Sequence, residues 1–148
     1  MRPADSTDPH VARLYSQVRG MDREVIHLYQ ALANQPPALE AFLGMSAYIR
    51  DASSLRPAVR EVAILATAQA LDQPYELAHH IPLARRAGVT QAAIDSIVGG
   101  GAAGLAPVER AVVAYAFEVA RAKEVDSATF DHLRSFFSAA ELIDLVLT

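Results

Sequence analysis

Apolar residues recur along most of the chain at the three- and four-residue spacing of amphipathic helices, and the β-branched residues are scattered rather than alternating. Proline and glycine fall between the periodic segments, where helices end and loops begin. The pattern therefore predicts an all-α protein, a compact multi-helix fold with no β-sheet.

Three helices are predicted in the first 50 residues. Asp8, followed by proline, marks the start of the first helix. Asp22 is predicted to cap the second helix, whose apolar stripe already includes Val25 and Ile26. The proline pair at 36–37 ends that helix and opens the third.

The remaining sequence predicts a buried central helix followed by further helices, including a long one that starts at Pro107. Residues 62–68 are apolar on every face, which indicates burial all round. Ser138 and Glu141 form a capping box before an apolar final helix, which reaches Thr148 without a stop signal and is therefore expected to continue or to pack against a neighbour. The predicted starts of these helices are Pro57, Pro74, Thr90, Pro107, Asp126 or Ser127, and Ser138.

Composition narrows the class of protein. The 148 residues, 52% of them hydrophobic, suit one domain over residues 1–148, with residues 1–37 as a candidate N-terminal helical arm. A net charge of −4 without a basic block argues against nucleic acid as a partner. No apolar run approaches the roughly 20 residues that span a bilayer, and Met1–Pro9 has no signal-peptide core, so we expect no membrane partner and a cytoplasmic location.

The chain contains no cysteine. Disulfides, thiolate nucleophiles, redox-active cysteine pairs and zinc sites with sulfur ligands are therefore excluded for this chain. Thiol-based reduction of hydroperoxides is excluded with them.

Polar residues that could take part in a reaction lie on two consecutive predicted helices. Glu61 lies near the start of the buried helix, and Gln73, Glu76 and His80 follow at spacings of three and four, which places them on one stripe of the next helix. We expect this stripe to face Glu61. An imidazole and carboxylates in such an arrangement are candidates for proton transfer.

This spacing resembles the carboxymuconolactone decarboxylase and alkyl hydroperoxide reductase D-like family. Redox members of that family have Glu, eleven residues, Cys, two residues, Cys, three residues and His. Glu61 and His80 match, while Gln73 and Glu76 occupy the two cysteine positions, as in the non-redox branch. The resemblance covers residues 38–148, including the Tyr75-to-His80 segment, and implies an alkyl hydroperoxide reductase D-like fold and a trimeric or hexameric homo-oligomer.

The resemblance also implies a carboxy-lyase-like enzyme that acts on a small lactone or carboxylated substrate without a cofactor. Decarboxylation leaves carbanion-like charge that must be delocalised and protonated, so the catalytic candidates are His80, Glu76 and Glu61. Arg85 or Arg86 would anchor the substrate carboxylate. The further candidates for substrate binding are Gln73, Tyr75 and His79.

Simpler interpretations remain open. Glu76 and His80 are also spaced as an ordinary exposed helix pair, and Glu61 as a first-turn acid that complements the helix dipole. No metal site is expected, because the adjacent His79 and His80 diverge by about 100° around a helix. The glycines at 99, 101 and 104 spell GxGxxG, but a helix is predicted before them where nucleotide-binding folds have a strand. The alternative function is a non-catalytic helical oligomer that binds or assembles.

Overall fold

The computed structural model describes residues 4–20, 24–122 and 124–148. These residues form nine α-helices and one π-helical turn, Tyr48–Ala52, and contain no β-strand. The all-α prediction is confirmed. The helices are α1 (Pro9–Gly20), α2 (His27–Leu32), α3 (Pro36–Ala47), α4 (Pro57–Ala70), α5 (Pro74–Arg86), α6 (Gln91–Val98), α7 (Pro107–Ala122), α8 (Ser127–Arg134) and α9 (Ala139–Leu147).

The helices belong to two compact units, Met1–Ala52 and Ser53–Thr148. The first unit has its own apolar core, built by α1, α2 and α3 around side chains such as Leu14 and Leu39, which have no exposed surface. In the second unit α4 packs against α5, α6 and α7. A single domain over residues 1–148, with an arm over residues 1–37, stays a prediction.

Side-chain caps define several helix starts, as the sequence predicts. The Asp8 carboxylate accepts hydrogen bonds from the first backbone N–H groups of α1, and the Thr90 hydroxyl caps α6. Of the two candidates before α8, Asp126 is the cap, because its Oδ1 accepts from the Ala128 N–H at 2.8 Å. Ser138 forms the predicted capping box with Glu141 at the start of α9.

The prediction for the second helix is partly wrong. Its proposed cap, Asp22, lies outside the described residues. Val25 and Ile26 precede α2 instead of belonging to it, and Ile26 is extended, with φ −69° and ψ 165°. Both side chains nevertheless pack against the core of the first unit. The apolar pattern at these two positions therefore reflects burial and not a helix. Both side chains are β-branched, and such side chains favour extended backbone.

Two expectations for α4 and α5 also need correction. Burial of α4 is incomplete, because Ile64 is half-buried and Thr67 is exposed. Pro82 lies inside α5 rather than between helices. Its missing N–H leaves the carbonyl of Ala78 without the usual helical donor, but Ala78 is on the exposed side, where water can replace that bond. Within the described ranges, no helix is long and apolar enough to cross a membrane.

Candidate active site

The candidate site is built on a helical hairpin formed by α4 and α5. Only three residues separate Ala70, the end of α4, from Pro74, the start of α5. Among them Asp72 adopts a φ of 51°, a left-handed conformation that Asp tolerates better than most residues. The short connection packs the two helices side by side, so that the first half of α4 faces the middle of α5.

Glu61 and His80 meet across this hairpin. Oε2 of Glu61 lies 2.8 Å from Nδ1 of His80, within hydrogen-bonding distance. Glu61 is only 2% exposed and His80 6% exposed. When the carboxylate accepts from Nδ1–H, the tautomer and the orientation of the ring are fixed and the Nε2 lone pair stays available. The expectation that the stripe on α5 faces Glu61 holds for His80.

Glu76 lies on the outer side of the same imidazole. Its Oε2 is 3.7 Å from Nε2 of His80, one helical turn away on α5. This distance exceeds that of a hydrogen bond and leaves the two groups as an ion pair when the ring is protonated. The Glu76 side chain is 43% exposed. His80 therefore connects a buried carboxylate to one that contacts solvent.

Arg60 adds a positive charge to the buried end of this array. Its Nε lies 3.6 Å from Oε1 of Glu61, the carboxylate oxygen that does not face His80. Arg60 is itself buried. The two oxygens of Glu61 thus have different partners on two different helices.

Tyr75 and His79 form an aromatic pair beside the array. Their rings are nearly parallel, with an interplanar angle of 2° and centroids 6.4 Å apart. The ring of His79 also meets the ring of His80 edge-on at 5.5 Å. Because Tyr75 is exposed, this stacked pair adds aromatic surface beside His80.

The other predicted binding residues lie away from the Glu61–His80 pair. Gln73 is exposed and donates its side-chain amide to the carbonyl of Leu71 at 2.9 Å, within its own turn. Arg85 and Arg86 are exposed in the last turn of α5, and the Arg85 Nε donates to the Gln91 side chain at 2.8 Å. The structure therefore brings Glu61, Glu76 and His80 together but leaves Gln73 and both arginines outside this cluster.

No group of three His, Asp or Glu side chains in the described part of the chain is arranged to hold a metal ion. The glycine-rich segment that follows α6 is a loop between two helices, with no strand before it. The groups that the site itself offers for chemistry are the His80 imidazole, the carboxylates of Glu61 and Glu76, and the Arg60 guanidinium.

The part of the chain that contains this cluster matches a known protein family. The model of the carboxymuconolactone decarboxylase family matches residues 36–118, which is more than half of the chain and includes all of α4 and α5. The chain belongs to the carboxymuconolactone decarboxylase family. A comparison with curated proteins found no match.

Solved structures show the same fold. An uncharacterized peroxidase-related protein from Silicibacter sp. TM1040 is 20% identical, with a TM-score of 0.82 over 97% of this chain and 78% of the other. The debrominase Bmp8, solved as a cysteine-to-alanine variant in complex with 2,3,4-tribromopyrrole, is 17% identical, with a TM-score of 0.79 over 99% of this chain and 80% of its own. At this level of identity the likeness concerns the fold.

Two buried charged residues in this family member were not predicted from the sequence. Arg60 contacts Glu61, and Asp144 of α9 accepts a hydrogen bond from the backbone N–H of Ser54 at 2.7 Å. The sequence carries no clear signal for either residue, because Arg60 lies four residues after the exposed Arg56 and Asp144 lies three residues after Glu141. Periodicity therefore groups both with polar positions.

Proposed function

We propose that this member of the carboxymuconolactone decarboxylase family is an enzyme that transfers a proton between His80 and a small lactone or carboxylated substrate, without a cofactor. The observation that carries the proposal is the buried contact of 2.8 Å between Glu61 Oε2 and His80 Nδ1. An exposed ion pair between Glu76 and His80 would need no buried carboxylate on the other side of the ring. A buried carboxylate that orients an imidazole is the arrangement by which proteins prepare histidine for general acid and base catalysis.

Each residue has a distinct role in the proposed reaction. Glu61 holds Nδ1–H and thereby directs Nε2 away from the core. When the substrate loses its carboxylate, the carbon–carbon bond breaks, carbon dioxide leaves, and the electron pair is delocalised into the lactone. The imidazolium form of His80, which carries a proton on each ring nitrogen, then gives the Nε2 proton to a conjugated carbon and becomes the neutral ring with its proton on Nδ1. Glu76, which contacts both this side of the ring and solvent, returns a proton to the imidazole.

The aromatic pair beside His80 suits the proposed substrate class. The exposed ring of Tyr75, which stacks on His79, offers an aromatic face for a conjugated lactone ring. Arg85 and Arg86 remain the proposed anchors for the substrate carboxylate. The Arg85 Nε donates to the side chain of Gln91, so its two terminal nitrogens would bind the carboxylate.

Turnover of carboxymuconolactone and related lactone acids, followed by ultraviolet absorbance, tests this proposal. In His80→Gln we expect the rate to fall by about 10²- to 10⁴-fold, the usual contribution of a general acid or base. Glu76→Gln should slow the return of the proton to His80 and lower the rate by a smaller factor than His80→Gln does. His132→Gln and Asp131→Asn are matched controls, because both residues are exposed on α8. Equal rates in native protein and His80→Gln would contradict the proposal.

Two further compounds extend the same experiment. 2,3,4-Tribromopyrrole serves as a flat ring ligand, because the structurally similar debrominase was solved with it. An organic hydroperoxide serves as a negative control, because the chain has no thiol to oxidise. Turnover of the hydroperoxide by pure, metal-free protein would contradict the exclusion of peroxidase activity.

A second candidate function is a non-catalytic helical oligomer that uses the family scaffold for binding or assembly. The exposure of Ile143, Val146 and Leu147 on α9 favours it. The enzymatic function requires His80, whereas the assembly function does not. If the whole panel is inert with native protein while the protein self-associates, the assembly function replaces the enzymatic one.

A further inference from the structure

We infer that Arg60 is a positioning residue that sets the orientation of Glu61 and, through it, the tautomer of His80. The inference rests on the proposed function, because it assigns a role within the same site. Arg60 acts on the carboxylate oxygen that faces away from His80, so its influence on the ring passes through Glu61.

The burial of Arg60 is the first support for this role. Its side chain is 11% exposed and lies in the stretch of α4 between Val59 and Val62, which are both buried. A cation removed from water is unfavourable unless an opposite charge and hydrogen bonds offset its desolvation. The charge of the buried Arg60 therefore depends on nearby partners, and the Glu61 carboxylate is an opposite charge close to it.

Helix periodicity does not impose the contact between Arg60 and Glu61. Neighbouring residues on a helix point about 100° apart, and ordinary helix pairs form at spacings of three or four. The Arg60 side chain must therefore bend along the helix surface to reach Oε1 at 3.6 Å. The contact reflects packing around the carboxylate rather than its position in the sequence.

The two contacts of Glu61 together determine how its carboxylate is turned. The terminal torsion of glutamate has a broad, roughly two-fold preference, so a single contact restricts the rotation of the carboxylate from one side only. Attraction of Oε1 toward Arg60 and the bond of Oε2 with Nδ1 restrict this rotation from both sides. The carboxylate is then held where it accepts from Nδ1–H, and Nε2 of His80 is directed toward Glu76.

Nitrogen NMR of the His80 ring measures this effect without a substrate. In native protein with a neutral ring, we expect the proton on Nδ1. In Arg60→Gln we expect both ring nitrogen signals to shift toward the tautomer with the proton on Nε2. Arg60→Met, which keeps the bulk of the stem, provides the same test if the first variant does not fold. Arg134→Gln, which removes an exposed arginine paired with Asp131, is the matched control.

Kinetics of the same variants provide the second measurement. We expect kcat to fall by about 10- to 100-fold with little change in KM, the range seen when the hydrogen-bonding partner behind a metal-bound imidazole is removed. Arg60→Lys, which restores the charge but not the planar group, should recover part of the loss.

The outcomes separate this inference from the proposed function. Unchanged His80 ring signals in folded Arg60→Gln or Arg60→Met overturn the positioning role, whatever the activity. Shifted ring signals with an inert native protein support the positioning role and contradict the proposed reaction. Shifted signals together with the expected loss of kcat support both.

Discussion

At the scale of single residues, the two carboxylates beside His80 differ mainly in burial. Glu61 is enclosed and has both His80 and Arg60 as partners, whereas Glu76 has nearly half of its side chain in solvent. A buried charge depends strongly on its partners, while an exposed ion pair contributes little to stability. The same residue type, at Glu61 on α4 and Glu76 on α5, therefore has two different energetic roles.

This difference predicts unequal effects on folding. Glu61→Ala leaves Arg60 buried without this carboxylate and should lower the free energy of unfolding by about 3 kcal/mol or more. Glu76→Ala should change it by less than about 1 kcal/mol. Urea unfolding at neutral pH, followed by circular dichroism, measures both. Similar losses in the two variants would contradict the burial that distinguishes them.

The residues of the site were predictable to different degrees. Helix periodicity and family spacing together identified Glu61, Glu76 and His80, because side chains three or four residues apart share a helix face. Gln73 fits the same spacing but lies just before the first turn of α5, and its side chain bonds to the preceding carbonyl. The contact of Arg60 depends on side-chain packing, which periodicity does not describe.

At the scale of secondary structure elements, capping residues were more informative than apolar stripes. Asp8, Thr90 and Ser138 begin helices where the sequence predicts, because each offers an oxygen to otherwise unpaired N–H groups. Val25 and Ile26 show the limit of the apolar pattern, since both are partly buried without being helical. The π-helical turn at Tyr48–Ala52 was not predicted, because no proline in the sequence separates it from α3.

The capping box of α9 predicts a pH-dependent contribution to stability. Hydrogen bonds from the backbone N–H and hydroxyl of Ser138 lower the pKa of Glu141 below its ordinary value of 4.5. Because the folded value is the lower one, the stabilisation is complete above the ordinary value and is lost as the pH falls through the folded value. Glu141→Gln should therefore cost about 0.5 kcal/mol at neutral pH.

Unfolding curves across the acid range check this sign. The difference between native protein and Glu141→Gln should shrink as the pH falls below 4.5, the ordinary value for this carboxyl. Glu124→Gln is the control, because Glu124 is exposed and lies outside the helices. A difference that grows on acidification would show that the carboxylate destabilises the start of α9.

At the scale of the whole molecule, α9 presents apolar side chains on two faces. Leu145 is buried in the core of the second unit, and Asp144 bonds to Ser54. Ile143 and Val146 are 61% and 65% exposed, and Leu147 extends the same surface at spacings of one and four. A helix that is apolar on more than one face is normally buried on more than one face.

This exposed surface supports the expectation of a homo-oligomer. We expect native protein to sediment as a trimer or hexamer at micromolar concentration, with Ile143 and Val146 covered by another copy. Burying a side chain of this size contributes about 1.5–3 kcal/mol, so the double variant Ile143→Lys and Val146→Lys should raise the dissociation constant by about 100-fold or more. Ser135→Lys, at an exposed polar position, adds the same charge without removing apolar surface. A native protein that sediments as a monomer would contradict the expectation, whereas dissociation in the double variant alone would assign the contact to α9.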